Sequence, residues 1–175
     1  MQSQQVKAVH HISIPRMINF QGFPFNYRHH GLLFEYNDGR REVIHYSGDA
    51  SNMDGEVQVT TLQGFLKGAP ESNIIYNRDD EHPEPLKRFD ADVIMERAKK
   101  RLGERQYNLM MNNCEHFAHD CLYGKSFSRQ VDMVMSLFGA FMQQGFASNL
   151  ATASSTTQPS STTLRSELPD TEEAD

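Results

Sequence analysis

Apolar and polar positions alternate through the first half of the chain, and the period changes to that of a helix after residue 86. Val9–Ile14 alternates and predicts an edge strand stopped by Pro15. Phe20–Tyr27 is aromatic but holds Gly22 and Pro24, and reads as a loop. His30–Tyr36 and Arg41–Tyr46 are strand-like and flank Asn37-Asp38-Gly39-Arg40, where Asp-Gly supplies a tight turn. Further strands are expected at Glu56–Leu62 and Asn73–Asn77.

Beyond Pro83 and Pro85 the pattern predicts helices. Asp90 can cap a run from Ala91 to Leu102, with Gly103 as its stop. A second helix should start near Asn113-Cys114 and run to Tyr123, ended by Gly124, and a third should cover about Val131–Gln144. Strands first and helices afterwards predict an α+β fold, an antiparallel β-sheet packed on helices.

The length, 175 residues, suits one domain with a tail. We divide it into an N-terminal strand and loop (1–23), a main domain (24–146) and a tail (147–175). Nine of the thirteen residues in 151–163 are Ser or Thr, and an acidic stretch follows, a composition that predicts disorder. The formal charge is −6, of which residues 151–175 contribute −4 (one base, five acids). The remainder is nearly neutral, with no clustered basic face beyond Lys99-Lys100-Arg101, so nucleic acid is not an expected partner. No secretory signal is visible in residues 1–9, and the longest nearly apolar stretch, Met133–Met142, is about half a membrane span. Cys114 and Cys121, placed on one helix, lie about 10 Å apart and should be free thiols, which fits a reducing, cytoplasmic compartment.

Asn113-Cys114-Glu115-His116-Phe117 carries the most chemistry. With Asn113 as N-cap, Cys114 lies in the first helical turn, where the dipole and unpaired N–H groups favour a thiolate and could hold an oxyanion. A nucleophile of this kind needs a base. On the helix His116 and His119 project about 200° and 140° away from Cys114, so neither serves. The same geometry prevents one tetrahedral zinc from collecting Cys114, His116, His119 and Cys121, and no metal is expected. His116 and His119 read instead as capping or packing residues. The hairpin offers other imidazoles: His29 and His30 on its first strand and His45 on its second. A two-residue loop at Asp38-Gly39 would put His45 on the face of His30, whereas an odd-length loop or a bulge would put it on the face of His29. The period alone leaves both open.

Two boxes carry a family resemblance. Tyr27-Arg28-His29 with Val43-Ile44-His45, and Asn113-Cys114-Glu115-His116-Phe117 with Tyr123-Gly124 and Ser128-x-Gln130-Val131, resemble the lecithin:retinol acyltransferase family. The likeness is greatest to its Ras-suppressor-like phospholipase/acyltransferase branch and spans roughly residues 24–131. It implies a permuted papain-like α+β domain with Cys114 as nucleophile, His29 as base and His45 orienting that base. It also implies a phospholipid acyl donor, a thioester acyl-enzyme, transfer to water, an alcohol or an amine, and no cofactor. This chain departs from the family in its longer polar hairpin loop. It also has His30 where an aromatic is usual, which makes His30 an alternative base, and where animal members carry a hydrophobic C-terminal anchor it shows the short Met133–Met142 run and then a polar tail, so stable membrane insertion is not expected. Reversible contact with a membrane surface remains open through Met133, Met135, Phe138, Phe141 and Met142, although core packing is the favoured use of that helix. A cysteine peptidase or amidase of the same fold and a non-catalytic interaction module are the competing readings.

Overall fold

The computed structural model describes residues 5–20, 22–49, 54–78, 86–108, 111–137 and 139. Five strands form one antiparallel sheet in the order β4-β3-β2-β1-β5. They are β1 (Val6–Phe20), β2 (Phe23–Tyr36), β3 (Arg41–Asp49), β4 (Asp54–Thr61) and β5 (Ile75–Tyr76). Among the described residues they are accompanied by the helices α1 (Leu62–Leu66), α2 (Ala91–Lys100) and α3 (Cys114–Tyr123) and by a helical run that starts at 129. The chain is thus an α+β domain. Its compact unit runs from residue 1 to 134. The region expected to form the disordered tail lies outside the described residues.

β1 is longer than the alternation suggested, and it lies inside the sheet. Pro15 does not stop it. The His11 carbonyl accepts from Asn77 N–H at 2.8 Å, so odd-numbered residues of β1 direct their backbone groups towards β5. β5 opposes only Ile12 and Ser13, which leaves the missing N–H of Pro15 facing an unpaired edge. The aromatic segment expected as a loop is likewise strand, because Pro24 pairs with Asn19 on β1 and β3 does not reach it on the other side. The β1–β2 turn passes through Gly22, whose φ of 87° suits glycine.

The β2–β3 hairpin closes through Asn37-Asp38-Gly39. Tyr36 N–H donates to Arg40 O, and Gly39 adopts a φ of 84°. This is a three-residue loop with glycine at its left-handed position. The odd length places Leu32 opposite Ile44 and Leu33 opposite Val43. Beyond Leu32, β3 separates from β2 and continues against β4 alone.

One side of the sheet packs on α2 and α3 through Leu32, Phe34, Ile44, Tyr46, Ile94, Phe117 and Leu122. The other packs on α1 through Ile12, Ile14, Leu33, Val43 and Phe65. α1 begins where a strand end was expected, with Thr61 Oγ1 accepting from Gly64 N–H. β5 is shorter than expected because residues 71–73 form a 3-10 turn. α2 starts at Ala91 as expected but ends two residues early, and Gly103 turns the chain so that its N–H meets Val57 O on β4. Helical residues begin again at 129 and continue to 137. No described helix is long and apolar enough to cross a membrane.

Phe34 is fully buried between β2 and the helices. Phe34→Ala is expected to lower the unfolding free energy by about 3–5 kcal/mol. Urea denaturation checks this; a loss under about 1 kcal/mol would contradict the packing described.

Candidate functional site

α3 enters the fold at the point where β3 leaves β2. Even-numbered residues of β2 direct their N–H and C=O groups towards β3, but pairing starts only at Leu32. Arg28 and His30 therefore present unpaired backbone groups to a slot. An unsatisfied buried backbone group costs about 1–3 kcal/mol, so the slot must be filled by polar atoms. Cys114 Sγ lies in it: His30 N–H donates to the sulfur at 3.4 Å, and the thiol faces Arg28 O at 3.9 Å. Gln130 completes the edge, accepting from Arg28 N–H at 2.7 Å through Oε1 and donating to Arg28 O at 3.1 Å through Nε2.

Each position of the cysteine box has a physical task. Asn113 caps α3, its Oδ1 accepting from Glu115 N–H and His116 N–H at 2.9 and 3.0 Å. His116 Nδ1 returns the bond by accepting from Asn113 N–H, which completes a capping box. Glu115 is buried and accepts from Ser128 Oγ at 2.6 Å and from Gln130 N–H and Nε2. Phe117 is buried against Tyr46, with the Arg101 guanidinium over its ring. Gly124, at φ 70°, ends the helix as anticipated. His119 packs on Phe127 and bonds its carbonyl, so the capping and packing roles expected of His116 and His119 both hold.

Cys114 is placed in the first turn as expected, but its surroundings oppose the thiolate that this position was expected to favour. Burial pushes the thiol up to about 12, outweighing the amides of His30, Cys114 and Glu115 that pull the other way. The first-turn donors are also fewer than the sequence implied, because Asn113 occupies two of them. The Cys114 N–H is the one the cap leaves over. Cys114 and Cys121 are both free and buried.

The odd hairpin loop puts His45 on the face of His29. His29 Nε2 and His45 Nδ1 are 2.9 Å apart, and His45 Nε2 lies 3.0 Å from Thr60 Oγ1. The His29 ring stacks on Phe65, and the His45 ring meets the same phenyl edge-on. Gly31 makes this possible: a Cβ there would fall 2.9 Å from both Phe65 and Val43, and 3.2 Å from His45. His30 points to the opposite face, where its Nδ1 is 2.9 Å from His11 Nε2. Among the described residues, no hydrogen bond joins Cys114 Sγ to an imidazole. Sγ instead touches the backbone on either side of His29 (Arg28 O and His30 N–H). Thr60, Phe65, Ser128 and Gln130 were not singled out as site residues from sequence. Ser128 and Gln130 stood in a resembling motif without a role; nothing local marks Thr60 or Phe65.

An open groove of about 420 Å³ adjoins the His29 face and is lined by Arg16, Met17, Ile18, Tyr27, His29, Gly48 and Lys67. No group of described residues forms a candidate metal cluster.

Comparison with known proteins gives a consistent result. The family model for lecithin retinol acyltransferase matches residues 4–127. Lecithin retinol acyltransferase of Homo sapiens is 40% identical over 76 residues, which is 43% of this chain and 31% of the relative. The proteins of the same name from Bos taurus and Rattus norvegicus are 37% and 36% identical over the same shares. The matched stretch thus covers under a third of the relatives' length.

Burial lowers the pKa of His11 and His29 well below 6.5 and that of His45 to about 4. The unfolded chain therefore binds more protons than the folded one between about pH 6.5 and about pH 4, and stability is full above 6.5 and declines below it. The urea midpoint is expected to fall between about pH 7.5 and about pH 5, a window above most carboxylate titration. An unchanged midpoint would mean that these imidazoles are not held neutral.

Proposed function

Because the chain belongs to the lecithin retinol acyltransferase family, we propose that it is a thiol acyltransferase taking an acyl group from a phospholipid ester. The observation that carries this reading is the position of Cys114 Sγ. It is held by the backbone of β2 on either side of His29, and His29 is oriented in turn by His45.

Burial favours the protonated thiol and the neutral imidazoles, so attack proceeds by proton transfer rather than from a preformed ion pair. His29 acts through Nδ1. Its Nε2 faces His45 Nδ1, which also donates to the Tyr46 carbonyl at 3.1 Å, and His45 Nε2 is held by Thr60 Oγ1. As the substrate ester arrives, the Cys114 proton passes to His29 Nδ1 and the sulfur attacks the carbonyl carbon. The Cys114 N–H is the donor available to the oxyanion. The tetrahedral intermediate collapses, the C–O bond breaks, and the leaving alkoxide takes the proton from His29. The product is a thioester on Cys114 and a lysophospholipid. In the second half, His29 removes a proton from water, an alcohol or an amine, which attacks the thioester. The thiolate leaves and is reprotonated. All the acid–base chemistry is supplied by side chains, and no cofactor is required.

Access from a lipid surface fits two exposed side chains. Met17, at 71% exposure, lines the groove, and Met133, at 64%, lies on helical residues 129–137. The exposure of Met133 departs from the core packing favoured for that helix. Phe138, Phe141 and Met142 fall outside the described residues.

Cys114→Ala and His29→Ala are each expected to abolish acyl transfer from labelled phosphatidylcholine while leaving the far-ultraviolet spectrum unchanged. Thr60→Val should lower kcat roughly tenfold with little effect on KM, as expected for loss of an orienting hydrogen bond. Mass spectrometry of the quenched enzyme should show a fatty-acyl increment on Cys114. A peptidyl increment instead would assign the site to amide chemistry, and full activity in Cys114→Ala would remove the cysteine from the mechanism.

A further inference from the structure

The groove beside His29 has an unusual electrostatic make-up. Among the described residues that line it are two cations, Arg16 and Lys67, and no carboxylate. Neither cation has an acidic partner among the described residues, whereas Arg40, Arg41, Arg97, Lys100, Arg101 and Arg105 all do. Their placement is fixed by the fold. Arg16 pairs with Tyr27 across the β1–β2 ladder, on the same sheet face as His29 and Ile18. Its Nη2 donates to Phe65 O at 2.8 Å, which anchors one edge of the guanidinium and leaves the rest to the groove. Lys67 ends α1 in a left-handed conformation, φ 48°, where glycine would be the unstrained choice. Both charges also lie close enough to push down the pKa of His29 and His45, after burial and other neighbours. Two uncompensated cations next to a neutral imidazole pair form a site for an anion, and an anion there would help the imidazole accept a proton.

We infer that Arg16 and Lys67 bind the phosphate of the acyl donor, so that a glycerophospholipid is selected over a neutral ester. The inference rests on the reading of Cys114 and His29 as the acyl-transfer pair and adds two specificity-determining residues to it. Arg16 stands opposite Tyr27, two residues from His29, so phosphate and imidazole lie about 7 Å apart along the strand. A three-carbon glycerol bridges a comparable distance between a phosphodiester and an acyl ester. Met17 and Ile18 supply apolar surface beside the cations for the chains of the lipid.

The test measures binding without turnover. The full chain carrying Cys114→Ala is titrated calorimetrically with three probes. The first is a short-chain dialkyl-ether glycerophosphocholine below its micellar concentration. The second is the matched dialkyl glycerol without phosphate, and the third is inorganic phosphate. Lys67→Gln, at an exposed site, and Arg16→Gln are each expected to weaken the ether phospholipid on the order of tenfold, as loss of a charge-assisted contact does. Binding of the neutral diether should be unchanged, and Arg16→Lys should recover part of the loss. Equal weakening of both ethers, or no weakening in Lys67→Gln, overturns the inference. Inorganic phosphate binding as tightly as the ether phospholipid would assign the cations to free phosphate and also overturn it. Since no acyl transfer is measured, these outcomes are separable from a failure of the cysteine mechanism.

Discussion

The divergence of β3 from β2 after Leu32 is the constraint on which the site depends. Two strands that separate leave backbone donors and acceptors exposed inside a protein, and such groups must be met by other polar atoms. Here the first turn of α3 and the amide of Gln130 meet them. The thiol is thereby positioned by main chain, whose location is set by the whole sheet and not by any one rotamer. The short polar segment after α3 follows from the same requirement. Glu115 is buried to hold Ser128 and Gln130, and Gln130 serves as a substitute for the missing strand.

Strand alternation then sorts the histidines. Adjacent residues on β2 face opposite sides, so His29 joins His45, Phe65 and the cationic groove, while His30 joins His11 in the layer below α3. Two imidazole pairs thus lie on opposite faces of the strand whose backbone holds the sulfur. The first opens to a groove. Packing sharpens the difference: Gly31 lets Phe65 and His45 close over the strand, and any side chain there would push them apart.

The electrostatics of the resting site follow from burial. A helix N-terminus favours a thiolate by a modest amount, and enclosure of the sulfur between α3 and β2 outweighs it. The imidazoles are held neutral for the same reason. A neutral thiol and a neutral base are a consistent starting pair for proton transfer, and Arg16 and Lys67 line the groove on the same side.

Local chemistry in the sequence was enough for several features. Asn113 as cap, Gly124 as stop, the limits of α3, the start of α2 and the β2–β3 hairpin were all legible, because each rests on residues near one another in the chain, and the family was legible from two such local boxes together. Strand extent was misread wherever proline appeared. Whether a missing N–H matters depends on what lies beside it, and Pro15 and Pro24 both face unpaired edges. The face of His45 depended on one residue of loop length, which alternation cannot supply. Tertiary structure alone decided that Cys114 is buried, that Thr60 and Phe65 support the histidine pair, and that Arg16 and Lys67 share a groove. Those facts arise from the meeting of segments tens of residues apart, whose mutual placement no local spacing encodes.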